Sequence, residues 1–152
     1  MAASDTAVKA LNDLIATNRD AEEGYAKAAK GVHHSRLSDR LVAISGARGK
    51  FADELTALIS DLGAHAAPGA HIGGILHPGW VDLETRIRSK PEIEIVQECR
   101  IGDEATLKHY RHALSVDMPQ PARVVVERQL EAVESDLHAL EDLMQKGRVQ
   151  HA

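Results

Sequence analysis

Apolar residues recur every three or four positions along four stretches of this chain, the spacing that places them on one face of an α-helix. The first helix is predicted from about Asp5 to Lys30, with Leu11, Leu14, Ile15, Ala21, Tyr25 and Ala28 on its stripe and the stripe continuing to Val32. Ser4 or Asp5 can cap its start and Gly31 suits its end. The second is predicted from about Ser35 to Leu62, carrying Leu37, Leu41, Ile44, Phe51, Leu55, Leu58 and Leu62, and Gly63 ends it. A Gly-, Pro- and His-rich stretch from Gly63 to Gly79 reads as loop, followed by a short amphipathic turn with Trp80, Leu83 and Ile87 on one side. Pro91 stands where a first helical residue tolerates it, and the third helix continues to about Val116 with Val96, Cys99, Asp103, Leu107, Tyr110 and Leu114 inward. Pro119 and Pro121 mark the next boundary, and the fourth helix runs to about Lys146, before Gly147.

Connection lengths set the topology. The first pair and the last pair of helices are each joined by a handful of residues, so each is an antiparallel hairpin. The middle connection, residues 63–90, is long enough to retrace a helix of about 40 Å, at 1.5 Å per residue. Two hairpins joined by a long crossover make an all-α, ferritin-like four-helix bundle, a single domain over residues 1–152 with a short helix in the crossover. An up-and-down arrangement with a structureless insert is the alternative, and a loop that long would be unusual inside a compact domain.

Three of the four stripes are interrupted by polar residues. The first helix presents Asn18 and, at the edge, Glu22, with Tyr25; the second presents Arg48; the third presents Asp103 beside Arg100 and Tyr110. The fourth, with Val126, Leu130, Val133, Leu137, Leu140 and Met144, reads as an unbroken apolar seam. Charges inside a helical core are costly unless paired or bound to metal. Gly24, Gly46, Gly49 and Gly102 also lie mid-helix, each costing about 1 kcal/mol relative to Ala. They make room for a ligand or, on the favoured reading, accommodate Tyr25, Phe51 and Tyr110 from neighbouring helices.

Composition narrows the function classes. The 152 residues can bury a core without staples. A formal charge of −5 without any basic run argues against a nucleic-acid surface. The single cysteine, Cys99, excludes a disulfide framework and suggests a reducing compartment. Residues Met1 to Asp5 lack the basic-then-apolar plan of a signal peptide, and no apolar run approaches the roughly 20 residues of a membrane span. A cytoplasmic protein is expected. With Trp80, Tyr25, Tyr110 and Phe51 the only aromatic residues, the core must be mostly aliphatic.

The segments Leu11-Asn12-Asp13-Leu14-Ile15, Asp20-Ala21-Glu22-Glu23-Gly24-Tyr25, His77-Pro78-Gly79-Trp80 and Gly102-Asp103-Glu104 with Tyr110 together resemble a bacterial family of uncharacterised ferritin-like four-helix-bundle proteins, catalogued as a domain of unknown function. The resemblance spans about residues 8 to 145. It implies a ferritin-like fold and brings no established activity. Where that family usually shows Gly-Glu on the third helix, this chain has Gly102-Asp103, which keeps a carboxylate but shortens it by one methylene.

The sharpest chemical hypothesis is a di-iron or di-manganese carboxylate site. Such sites take a Glu from each of two helices and a Glu-x-x-His pair from each of the other two, and this chain contains no Glu-x-x-His. Glu134 and His138 are four apart and lie off the apolar seam. Partial ligation of iron or manganese by Glu22, Glu54 and Asp103, with or without a symmetry mate, is what remains of that reading. The favoured alternative puts Arg48 in the metal's electrostatic role, paired with Asp103 or Glu22 through parallel hydrogen bonds. The structural polar core is then Asn18, Tyr25, Arg48, Asp103 and Tyr110.

Other constellations are weaker. His65, His71 and His77 recur every six residues, with His33, His34, His109 and His112 elsewhere, and that spacing matches no standard metal site. His77 and Trp80 read instead as a lock on the crossover, Trp80 packing on the helices. Cys99 lies near an inward stripe, where thiols are inert. No serine has a nucleophile-elbow context, and Gly69 to Gly74 is no phosphate loop. Ile93, Ile95 and Ile101 look more hydrophobic than a solvated face requires. They serve either a homodimer interface or packing beneath the crossover. The expectation is a cytoplasmic bundle acting by binding or assembly rather than turnover, without cofactor or nucleic-acid or membrane partner, and stress-related by analogy of fold alone.

Overall fold

The computed structural model describes residues 4–66, 80 and 82–150, and within them the chain is all-helical, with no strand. Five helices follow one another: α1 (Asp5–Lys30), α2 (Ser35–Asp61), α3 (Leu83–Ile87), α4 (Glu92–Ser115) and α5 (Gln120–Gln150). Their ends follow local chemistry. Ser4 Oγ accepts from the Ala7 N–H at 3.1 Å, so Ser4, rather than Asp5, caps α1. Gly63, at φ +81°, takes the left-handed conformation that stops α2 without steric cost. The Pro119 carbonyl accepts from Ala122 and Arg123 to open α5, in whose first turn Pro121 lacks only an N–H that has no partner there. At its other end α5 runs on to Gln150 rather than stopping at Gly147.

Packing sets the arrangement. α1 packs on α2 and α4, and α5 packs on α4 and α2. Side-chain partners show every adjacent pair to be antiparallel. Asn18 meets Tyr110, Tyr25 meets Asp103, and Glu92 accepts from the His33 and His34 N–H groups at 2.5 and 3.0 Å, so α4 descends as α1 rises. Arg48 meets Asp136 while Gln129 meets Glu54, so α2 and α5 run oppositely as well. It follows that α2 and α4, on a diagonal, point the same way. The chain must therefore retrace the length of α2, about 40 Å at 1.5 Å per residue, before α4 begins. The end of that connection is described: Trp80, Leu83 and Ile87 are buried, and α3 lies against α1 and α4. His71 and His77 lie outside the described residues.

The core is two apolar clusters rather than one. The first gathers Leu11, Leu14, Ile15, Leu55, Ile59 and Val126; the second gathers Tyr25, Leu41, Ile44, Trp80, Val96 and Leu140. Thr17, Asn18, Arg48, Asp103, Thr106 and Gln129 are buried as well. Two sequence expectations are corrected here. The seam of α5 is not unbroken: its innermost positions are Ala122, Val126, Gln129, Val133, Leu140 and Met144, with Leu130 and Leu137 only partly buried. The three-then-four alternation turns Gln129 inward. Ile95 is not outward but 1 % exposed, packed in the second cluster, while Ile101 is 44 % exposed.

Candidate functional site

Six polar side chains occur as three pairs, each pair seven residues apart on one helix: Asn18 and Tyr25 on α1, Asp103 and Tyr110 on α4, Gln129 and Asp136 on α5. Seven residues are two helical turns, roughly 10 Å along the axis, so the antiparallel helices bring the six together as two polar layers.

The neutral layer is a relay of amides around a phenol. Asn18 Nδ2 donates to the Leu14 carbonyl at 2.8 Å and to Tyr110 Oη at 2.7 Å. Tyr110 O–H donates to Gln129 Oε1 at 2.7 Å, and Gln129 Nε2 donates to Glu54 Oε1 at 2.8 Å and to the Phe51 carbonyl at 3.3 Å. Glu54 also accepts from Arg128 at the surface. Burial alone would raise the Glu54 pKa, but the bonds from Arg128 and Gln129 outweigh it and hold the group below the usual glutamate range.

The charged layer is built on Arg48, whose side chain is fully buried. Its Nη1 and Nη2 donate to Asp103 Oδ1 and Oδ2 at 2.6 and 2.8 Å, a two-bond pairing that spans the α2–α4 diagonal. Nη2 also donates to Asp136 Oδ2 at 3.1 Å, and the Asp136 side chain is 21 % exposed. Tyr25 O–H donates to Asp103 Oδ2, and the guanidinium carbon stands 5.4 Å from the Tyr25 ring centre. Burial pulls the Arg48 pKa down, yet the Asp103 charge and its hydrogen bonds more than reverse this, so Arg48 stays cationic. Burial first, and the Asp103 charge second, push the Tyr25 phenol well above its ordinary value. Asp136 is raised because burial outweighs the attraction of Arg48. The same burial raises the Cys99 thiol, leaving it protonated and unreactive.

Trp80 closes this layer from the side. Its indole N–H donates to Thr106 Oγ1 at 3.3 Å, and its ring centre lies 5.3 Å from that of Tyr25. The ring rests directly on helix backbone. A Cβ on Gly24 would stand 2.4 Å from Trp80 Cε3, and one on Gly102 would stand 2.6 Å from Trp80 Cε2. Gly24 and Gly102 thus admit Trp80, rather than Tyr25, Phe51 or Tyr110 as expected. Gly49 makes room for Glu22, and Gly46 faces open space. On its outer side Trp80 borders a cavity of about 190 Å³ that Asp20, Glu23, Lys27, Asp82 and Glu84 also line.

All five residues of the expected polar core, Asn18, Tyr25, Arg48, Asp103 and Tyr110, are fully buried. Arg48 chooses Asp103; Glu22 lies at the side, its carboxylate with Arg19 at 3.3 Å. Sequence reasoning missed Gln129 and Asp136. Their signal was the heptad spacing through Val126, Val133 and Leu140, which makes them inward positions although they are polar. The proposed ligand set is not assembled. Asp103 binds Arg48 with both oxygens, whereas Glu22 and Glu54 turn to Arg19 and Arg128. Among the described residues no three His, Cys, Asp or Glu side chains are grouped to hold a metal ion. A guanidinium between the interior carboxylates also repels a divalent cation, so Glu22, Glu54 and Asp103, as they are placed here, do not fit a carboxylate metal centre.

No helix of the described residues is long and apolar enough to cross a membrane. No curated protein matches the chain. Residues 6–116, from α1 to the end of α4, match a family model described as a domain of unknown function. That match stops before α5, the helix that brings Gln129 and Asp136. Since it covers well over half of the 152 residues, the chain belongs to the domain-of-unknown-function family DUF2383.

Proposed function

We propose that this protein is a ferritin-like four-helix bundle that acts by binding or assembly, as a homodimer, and carries an ion pair where metal-binding relatives of the fold carry metal. One observation carries the reading: the Arg48 guanidinium, fully buried, is held by Asp103 through two hydrogen bonds and by Asp136 through a third. The parallel α2 and α4 support the ferritin-like assignment, because they require a single long crossover between two hairpins. A buried pair of this kind fixes helix register more than it adds stability, which suits a scaffold that presents a surface. We extend the proposal, by analogy of fold alone, to a cytoplasmic role in stress response.

The test is an anaerobic titration of untagged protein with Fe(II) and Mn(II), followed by calorimetry and melting, together with light scattering for the oligomeric state. The expected result is a dimer with no stoichiometric metal and an unchanged melting temperature. Iron or manganese bound one or two to a chain, and lost in Asp103→Ala, would replace this reading by a carboxylate metalloprotein. A strictly monomeric protein would refute the assembly half.

A further inference from the structure

We propose that Tyr25 is a one-electron redox site, its proton passing to Asp103 and its electron leaving through Trp80 to an oxidant at the protein surface. The chain has one tryptophan and two tyrosines, and their environments differ in the way that decides this chemistry. Tyr25 donates its phenolic hydrogen to a carboxylate. Tyr110 is held between the side-chain amides of Asn18 and Gln129, neither of which is a base. A phenol that loses an electron must lose its proton in the same event, because the phenol radical cation is a strong acid. A carboxylate already hydrogen-bonded to the phenol is the acceptor that makes this feasible inside a protein.

The layer around Tyr25 is composed to absorb that proton. Arg48, Asp103 and Asp136 carry one positive and two negative charges. When Asp103 accepts the proton, the Asp136 carboxylate still neutralises Arg48 through its 3.1 Å bond. No uncompensated charge is then left in the core, the outcome that buried groups avoid most strongly. A one-to-one pair of Arg48 and Asp103 would lack this property. The other ionisable group beside Tyr25 is Cys99, which burial keeps as the thiol.

The electron has a route. Trp80 touches Tyr25 at 5.3 Å between ring centres and borders the acidic surface cavity. Four carboxylates and one ammonium line that cavity, so it favours a cationic outer-sphere oxidant. The oxidant takes one electron from the Trp80 indole. Tyr25 then returns one electron to the indole radical cation while its O–H bond breaks and the proton passes to Asp103 Oδ2. The balance is an oxidant reduced by one electron, Trp80 restored, a neutral phenoxyl radical at Tyr25, and a protonated Asp103. This role is independent of the assembly and of the absence of metal proposed above.

The experiment is flash-quench photo-oxidation of the full chain with tris(bipyridine)ruthenium(II) and a cobalt(III) quencher, read by electron paramagnetic resonance and transient absorption. Wild-type protein is expected to give a phenoxyl signal that Tyr25→Phe abolishes and Tyr110→Phe leaves intact, while Cys99→Ala changes nothing. Trp80→Phe is expected to slow its appearance by about tenfold or more, the effect of at least about 1.4 kcal/mol in the barrier. Asp103→Asn should trap the indole radical. Should that variant not fold, slower formation of the wild-type phenoxyl in D₂O decides the proton step in its place. A phenoxyl signal that survives Tyr25→Phe and vanishes in Tyr110→Phe overturns the proposal, as does an indole radical that never passes to tyrosine in the wild type. An unchanged rate in Trp80→Phe overturns the route.

Discussion

Asp103→Ala removes the carboxylate that holds Arg48 by two bonds and Tyr25 by a third. Deleting one partner of a buried ion pair ordinarily costs about 3–5 kcal/mol, because the other charge is left without compensation. Two features of this layer adjust that figure in opposite directions. Asp136 keeps its 3.1 Å bond to Arg48 and its side chain is 21 % exposed, so the guanidinium retains a partner and some access to solvent. Against this, the Tyr25 hydroxyl loses its acceptor, which adds about 1 kcal/mol. The net expectation is a loss of about 3 kcal/mol. For a chain of this length each kcal/mol moves the melting temperature by roughly 2–4 °C, so the transition should fall by about 6–12 °C. Circular-dichroism melting near pH 7 measures it, and urea unfolding gives the free energy with a check that the slope is unchanged. Melting within about 2 °C of the parent would refute the idea that this pair organises the core. The double variant Arg48→Met, Asp103→Leu should lose less than the sum of the two single variants, since it removes both members of the α2–α4 pair and leaves only the partly exposed Asp136 without its bond to Arg48.

The glycines give opposed expectations. Gly24→Ala and Gly102→Ala drive a methyl into the Trp80 ring and should each destabilise by about 1–3 kcal/mol, with a change in Trp80 fluorescence. Gly46→Ala meets open space and should stabilise by about 0.5–1 kcal/mol through helix propensity. Equal melting of Gly102→Ala and the parent would contradict the close contact. The Asp136 pKa is raised on folding. Between its unfolded and folded values the native state therefore binds more protons, and this group's contribution to stability declines as pH rises through that window. Asp136→Asn should remove that decline, so the stability difference between variant and parent should vary with pH above about 4. A difference constant from about pH 4 to 7 would dispose of the assignment. Glu54 has the opposite sign: its folded pKa is depressed, so its contribution is present above the unfolded value and is lost on acidification through the folded one.

Periodicity and punctuation by themselves determined the helices. Ser4, Gly63, Pro91 and the Pro119–Pro121 pair fix element ends through backbone chemistry that acts within one turn, so long-range packing has little say there. Local sequence also placed Asn18, Tyr25, Arg48, Asp103 and Tyr110 on inward stripes, because an inward position is a matter of 100° per residue. Partnership is different. Whether Arg48 reaches Asp103 across a diagonal or Glu22 on the neighbouring helix depends on how α1, α2 and α4 sit together. A single stripe carries no record of that. Asp136 and Gln129 were hidden for a related reason: a seam drawn through Leu130 and Leu137 leaves both beside it, and only packing shows those leucines to be partly buried while Gln129 is inside. The glycines show the same limit. Gly24 and Gly102 are 78 residues apart in sequence, and only the folded chain brings Trp80 between them. The helices thus came from interactions between near neighbours, and the charged layer from contacts that exist only once four helices have packed.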